Sequence, residues 1–228
     1  SVSDTWTGLN SFMVTHNWWH HALFLLEQDQ HDAALHLYDT QVWGVVKDYS
    51  QDQINAISLL VRLELAGVDV GDRWADVAHH LAARGQDQVL PFLDLQYLLG
   101  LGRAGEHAAA ARLLAHIEAH AASRTEAQER AVWQGVCVPA ARGIQAFAQE
   151  RWGDAVAGLG QALPQLAEIG GSHAQRDLFS QLYLHALQCN GQWASAQNLL
   201  QPQCNAQPES RRLARQIHTV NTALGLPD

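Results

Sequence analysis

Apolar positions recur along most of this chain at intervals of three and four residues, the period of an amphipathic helix, and the pattern stops at short polar or glycine-containing turns. It is sharpest in PAARGIQAFAQERWGDAVAGLGQAL, from Pro139 to Leu163. The first limb carries Ala140, Gly143, Ile144 and Phe147 on one stripe, and the second carries Trp152, Ala155, Val156, Leu159 and Ala162. Neither limb can bury its stripe alone. Gly143, Ala155 and Ala162 fall where two helices meet closely, because a small side chain lets one backbone settle on the next, while Trp152 fills the space near the turn.

A small residue, an alanine twelve positions on, a large apolar residue four later and then another alanine make the pattern of a tetratricopeptide repeat. Similar pairs are predicted over about 15–46, 51–84, 92–121, 139–168 and 173–200, and a last helix over about 210–224 caps the open end. Thr15 is the expected N-cap of the first helix, Gly67 and Gly85 stop later ones, and Pro139 should break or restart a helix running from Thr125 to Val136. Aligned on their second helices at Ala34, Val77, Ala110, Ala155 and Ala196, the units are spaced by 43, 33, 45 and 41 residues. A strict array repeats every ~34. The expectation is therefore all-α: one domain, an irregular tetratricopeptide-like α-solenoid of about five helix pairs plus a capping helix, coiled as a right-handed superhelix.

Composition agrees, since alanine, leucine and glutamine abound among the 228 residues and β-branched runs are scarce. No stretch approaches the ~18 apolar residues of a membrane span, and SVSDTWTGLN lacks the order of a secretory signal, so a cytoplasmic location with no membrane partner is expected. A net charge of −9 with only 14 Lys and Arg gives no footprint for nucleic acid. Protonating all 13 histidines would move the charge to +4, so association is expected to respond to pH near 6 to 7. Cys137, Cys189 and Cys204 form no C-x-x-C and read as reduced thiols, two of the three in the core. The eight tryptophans sit in helical settings that favour packing, with one or two left to grip a peptide.

Three stretches hold residues able to do chemistry. His16 and His20 are one helical turn apart on one face, the spacing that lets two imidazoles share a metal. Glu27 lies on the same stripe, but about 10.5 Å of helical rise beyond His20 is too far to complete that shell. Packing inside the solenoid accounts for both histidines without an ion. His116 and His120 repeat the spacing on an alanine-rich helix and read as a solvated face. In IGGSHAQRDLF, Ser172 and Gln175 fit a capping box, and Asp177 suits the positive end of a helix. His173 and Arg176 remain unexplained: His173 with Asp177 could form an oriented pair, and Arg176 could hold a carboxylate or phosphate. No nucleophile elbow, phosphate-binding glycine loop, dinucleotide fingerprint or zinc signature is present.

In HNWWHHALFLLE followed by HDAALHLYD, and again in IGGSHAQRD, the chain resembles the tetratricopeptide repeat protein 38 family, over about Thr15 to Asn190. The resemblance implies a helical-repeat fold and marks His16, Asn17, His20, Glu27, His173, Gln175, Arg176 and Asp177 as family-typical; it implies no defined activity. Members of the family extend further at the N-terminus.

The leading expectation is a non-enzymatic interaction scaffold whose first helices line a groove for a peptide or protein segment, with no cofactor. The alternative is a helical small-molecule binder or enzyme with a His/Arg/Asp pocket, a divalent metal at His16 and His20 being the one exception to the absence of a cofactor. The two diverge on whether the His20 and Arg176 motifs face one cavity. Oligomeric state is not legible in the sequence.

Overall fold

In the computed structural model, which describes residues 2–6 and 8–226, every regular element among the described residues is helical. Helix α1 (Ser11–Glu27) turns into α2 (His31–Leu37), which continues as a π turn, Tyr38–Val42. Next come α3 (Ser50–Leu65) with α4 (Arg73–Leu81), and α5 (Pro91–Arg103) with α6 (His107–Ser123). Helix α7 (Ala127–Val132) runs through a second π turn, Trp133–Cys137, into α8 (Val138–Ala148). Then α9 (Trp152–Ala162) tightens into a 3-10 turn, Leu163–Ile169, and α10 (His173–Cys189), α11 (Trp193–Ala206) and α12 (Arg211–Leu224) complete the chain.

Several boundaries depart from the sequence expectations for identifiable reasons. Asn10, not Thr15, caps α1: its side chain accepts the Met13 N–H at 3.0 Å. Thr15 lies fully buried within the helix and donates to Asp52 Oδ1 at 2.7 Å. Pro139 breaks nothing. It sits in the first turn of α8, where its missing N–H costs no bond, and the π turn before it absorbs the change of register. The second helix of the first pair becomes a π turn before residue 46, and that of the fourth leaves the α-conformation at Pro164. Helix α4 stops at Leu81, freeing Arg84 to donate to Gln53 Oε1 at 3.1 Å and to the Asp48 carbonyl.

The aligned second-helix positions are all sealed, with Ala34, Val77, Ala155 and Ala196 at 0% exposure and Ala110 at 3%. The closest backbone approach is between α8 and α9: a Cβ on Gly158 would lie 2.7 Å from both the Gly143 nitrogen and the Pro139 carbonyl oxygen. One apolar core runs from Trp19 to Ala186, and a smaller one joins the end of α10 to α11 and α12. Trp19, Trp43, Trp74 and Trp133 are buried as expected. His116 and His120 are not a solvated face: His116 Nδ1 lies 2.6 Å from the Gly85 carbonyl, and His120 packs 4.4 Å from the Trp133 ring. All three cysteines are free, but only Cys137 is buried; Cys204 is half-exposed, and Cys189 is exposed at the last position of α10.

Contacts also link distant parts of the chain. Helix α3 packs on α10, and α1 meets α12. Helix α3 buries Asp52, Asn55, Ser58 and Arg62 along one side, each at 5% exposure or less: Asp52 accepts from Thr15 of α1 and from the Val46 N–H, while Arg62 reaches α10. Helix α5 hides Asp94 with both carboxylate oxygens sealed and unpaired. Burial, then repulsion from Asp87, pushes its carboxyl up to about 7, against a smaller opposing pull from the Gln88 backbone.

Two stability tests follow. Gly158→Ala should destabilise by about 1–3 kcal/mol in urea unfolding, because backbone cannot yield to the new methyl. Gly153→Ala, on the exposed side of the same helix, should be neutral or gain up to about 1 kcal/mol. For Asp94 the folded-state value lies above the unfolded one of about 3.9, so the folded chain holds the proton more tightly and its stability falls as pH rises from about 4 to 7. Asp94→Asn should therefore gain on wild type with rising pH, by on the order of 2–4 kcal/mol between pH 4 and 8 in paired denaturation curves.

Candidate functional site

The two motifs far apart in sequence meet across α3. Arg62, only 5% exposed, reaches from α3 and donates through Nη2 to the Ala174 carbonyl at 2.7 Å, inside the first turn of α10. Its Nη1 donates to the carbonyl and hydroxyl of Ser58, and its guanidinium lies 5.8 Å from the Trp19 ring of α1. Burial brings its pKa down to about 10, with Asp177, at 3.9 Å, opposing that shift. Arg62 therefore stays charged at neutral pH and ties α1 to α10.

Around this tie lies a cleft of about 680 Å³ between α1 and the start of α10. His20, Glu27, His173, Arg176 and Asp177 all line it. Its remaining wall is mixed, with an apolar strip of Leu23, the exposed Phe24, Leu163, Pro164 and Leu166 beside Gln203, Gln207 and a second arginine, Arg212. The local causes are legible. Ser172 and Gln175 form the expected capping box, Ser172 N–H to Gln175 Oε1 at 2.8 Å and Gln175 N–H to Ser172 Oγ at 3.3 Å, so α10 begins where His173 and Arg176 face the cleft. Gly170 and Gly171 adopt positive φ of 92° and 75°, and the Arg176 guanidinium donates to both of their carbonyls. Among the described residues no carboxylate lies within ion-pair distance of Arg176, so its charge is not cancelled.

The other predicted residues hold different positions. Asp177 does not pair with His173; it faces Arg62 and accepts from Gln181 Nε2 at 2.6 Å. Glu27 anchors α12, accepting from Ser210 Oγ and Arg212 Nε at 2.5 Å each. Gln175 is consumed by the cap, and Asn17 is half-buried on α1 outside the cleft lining. His16 sits behind the cleft, stacked on Trp19 with ring centroids 5.4 Å apart and with Nδ1 3.3 Å from Gln51 Nε2. Burial lowers the pKa of His16, against a hydrogen bond to Asn55 that favours the protonated ring; burial and then the neighbouring His16 lower that of His20. The His16 and His20 rings are 4.7 Å apart, edge to face. Among the described residues, no group of three or more His, Cys, Asp or Glu gathers around them or elsewhere in a form that could hold a metal.

Arg62, Gln51 and Arg212 escaped the sequence reading. Arg62 lay in plain sight as a cation inside the apolar run ISLLVRLEL, a placement that asks for a buried partner. No family model matches this chain. No solved structure matches it either.

Removing the tie should be costly. Arg62→Ala is expected to destabilise by about 2–4 kcal/mol in chemical denaturation, because Asp177 and the Ala174 carbonyl lose their buried donor. Arg62→Lys should recover little of the loss, since a single ammonium cannot span Ser58 and Ala174 as the guanidinium fork does.

Proposed function

We propose that the cleft between α1 and α10 binds a small organic anion with an apolar body, so that the chain is a small-molecule-binding protein rather than a peptide scaffold. One observation carries the reading: His20, from one motif, and His173 and Arg176, from the other, line a single cleft together with an apolar strip that includes Leu23, Phe24 and Pro164. Polar groups that converge beside apolar surface in a cleft of this size are the usual form of a ligand site. Arg176 supplies the charge, its planar fork suits a carboxylate or phosphate, and Phe24 and Pro164 supply a surface for the apolar part. His20 is exposed at the cleft; partial desolvation, and then the neighbouring His16, lower its pKa, so it can accept a proton at neutral pH and is the group through which binding would extend to catalysis. A peptide groove has less support, because α10 and α12 occupy the inner face it would need. We read the helix pairs as an irregular tetratricopeptide-like solenoid and the chain as a relative of the tetratricopeptide repeat protein 38 family. The alanine-centred packing and the meeting of the two family-typical motifs support that reading.

Isothermal titration with hexanoate, phenylacetate and hexyl phosphate tests the proposal directly. At least one probe should bind saturably to the wild type. Arg176→Gln should weaken it by about tenfold or more, the worth of a charge-assisted contact, with an unchanged circular dichroism spectrum. Phe24→Ala should weaken the same probe less. Absence of saturable binding by all three, or equal binding by Arg176→Gln, would sink the reading.

A further inference from the structure

Helices α11 and α12 do not belong to the main core. Their apolar residues Ala196, Leu200, Leu213 and Val220 join Leu184 and Leu187 of α10 in a separate cluster, and no residue beyond Ala186 contributes to the larger one. The seam between α12 and α1 is built from different chemistry. Glu27 accepts from Ser210 and Arg212, and Arg215 pairs with Asp29 at the exposed edge. Apolar packing therefore holds α12 to α11 and α10, while ionic contacts hold it to α1.

Beneath that seam lies a second, smaller cavity of about 100 Å³, bounded by Leu26 of α1, Arg62 and Leu65 of α3, Asp177 of α10 and Arg212 and Arg215 of α12. Arg212 also lines the outer cleft, as do Glu27 and Asp177, so the Glu27–Arg212 pair stands at the boundary between the two chambers. Of the two ion pairs on α1, Arg215–Asp29 is exposed and Glu27–Arg212 is half-buried. An exposed pair contributes only about 0.2–1 kcal/mol and is screened by salt, whereas each buried leucine or valine on the other seam contributes about 1.5–3 kcal/mol. The seam on α1 is thus the weaker of the two attachments.

We propose that the α11–α12 hairpin is a lid over the inner chamber, pivoting on its packed seam with α10 and latched to α1 by Glu27. The hairpin swings as a body because Ala196 and Leu200 of α11 pack with Leu213 and Val220 of α12. The contacts with Leu184 and Leu187 of α10 act as the pivot, and Gly191, at a positive φ of 71° in the turn after α10, lies beside it. Opening exposes Arg62 and joins the two chambers. The swing requires no ligand; only the consequence that it deepens an anion cleft rests on the function proposed above.

Pulsed electron spin resonance on the full chain tests the lid without a ligand. Nitroxides go on cysteines replacing the exposed Asp32 and Thr222, with Cys189 and Cys204 changed to serine and the sealed Cys137 left in place. The expected result is a main short distance with a minor longer one. The minor-to-major ratio should rise on the order of tenfold in Glu27→Gln, the loss of a charge-assisted contact, and should also rise in 1 M NaCl. Exchanging the charges, with Glu27→Arg and Arg212→Glu together, should bring the ratio back toward wild type. A single distance unmoved by Glu27→Gln and by salt overturns the proposal. So does a longer distance accompanied by loss of helical circular dichroism, because α12 would then be melting rather than swinging. Failure of the anion titrations with a salt-sensitive swing would retire the cleft reading and leave the lid standing.

Discussion

A guanidinium withdrawn from water tolerates few arrangements, and Arg62 imposes that restriction on the whole chain. Buried in the middle of α3, it must find acceptors for its N–H groups and a counter-charge nearby, since a buried unpaired cation costs several kcal/mol. It finds Ser58 on its own helix, the Ala174 carbonyl and Asp177 on α10, and the Trp19 face on α1. Its longest hydrogen bond spans 112 residues of chain, so satisfying one side chain brings the start of α10 against α3. Ridge-into-groove packing between neighbouring helices allows a range of angles. The polar tie narrows that range where α1, α3 and α10 meet, beside the cleft.

The same restriction divides the site's charges by task. Asp177 and Glu27 are spent on architecture, one holding α10 against α3 and the other holding α12 against α1. Arg176 is held by neutral backbone carbonyls, which fix its position without cancelling its charge. That leaves a positive group in the cleft with its orientation already set, an arrangement that would limit the ordering cost of the anion binding proposed above.

Much of the fold was legible because it rests on local signals. Helical periodicity and buried small residues located the pairs, and the Ser172–Gln175 capping box was readable down to its hydrogen bonds. Helix ends were less so, since what stopped or extended them was tertiary: Thr15 was drawn into the core by Asp52, and Arg84 left its helix to meet Gln53. The site was half legible. His20, His173 and Arg176 stood out by type and spacing, but their meeting depends on Arg62 and on curvature, neither of which a local pattern encodes. Asp177 does not pair with His173 as its spacing suggested, and the partners of Glu27 had no signal at all, because a carboxylate's partner across many residues of chain cannot be read from its neighbours. His116 and His120 erred in the other direction, their face being covered by Gly85 and Trp133.

The π turn at Trp133–Cys137 bears on how chains like this one drift apart. A π turn takes up one more residue than an α turn between the same two ends, and each residue rotates a helix by about 100°. Downstream of it, Gly143 faces α9 only because that extra residue has been counted in. Losing one residue there would spare the hydrogen-bond ladder yet turn the glycine seam away from its partner. A gap of one position in this segment is therefore a change of face, while the same gap in the Arg124–Thr125 connection is only a shorter loop. Any comparison of helical arrays that scores the two alike will misjudge which chains share this packing.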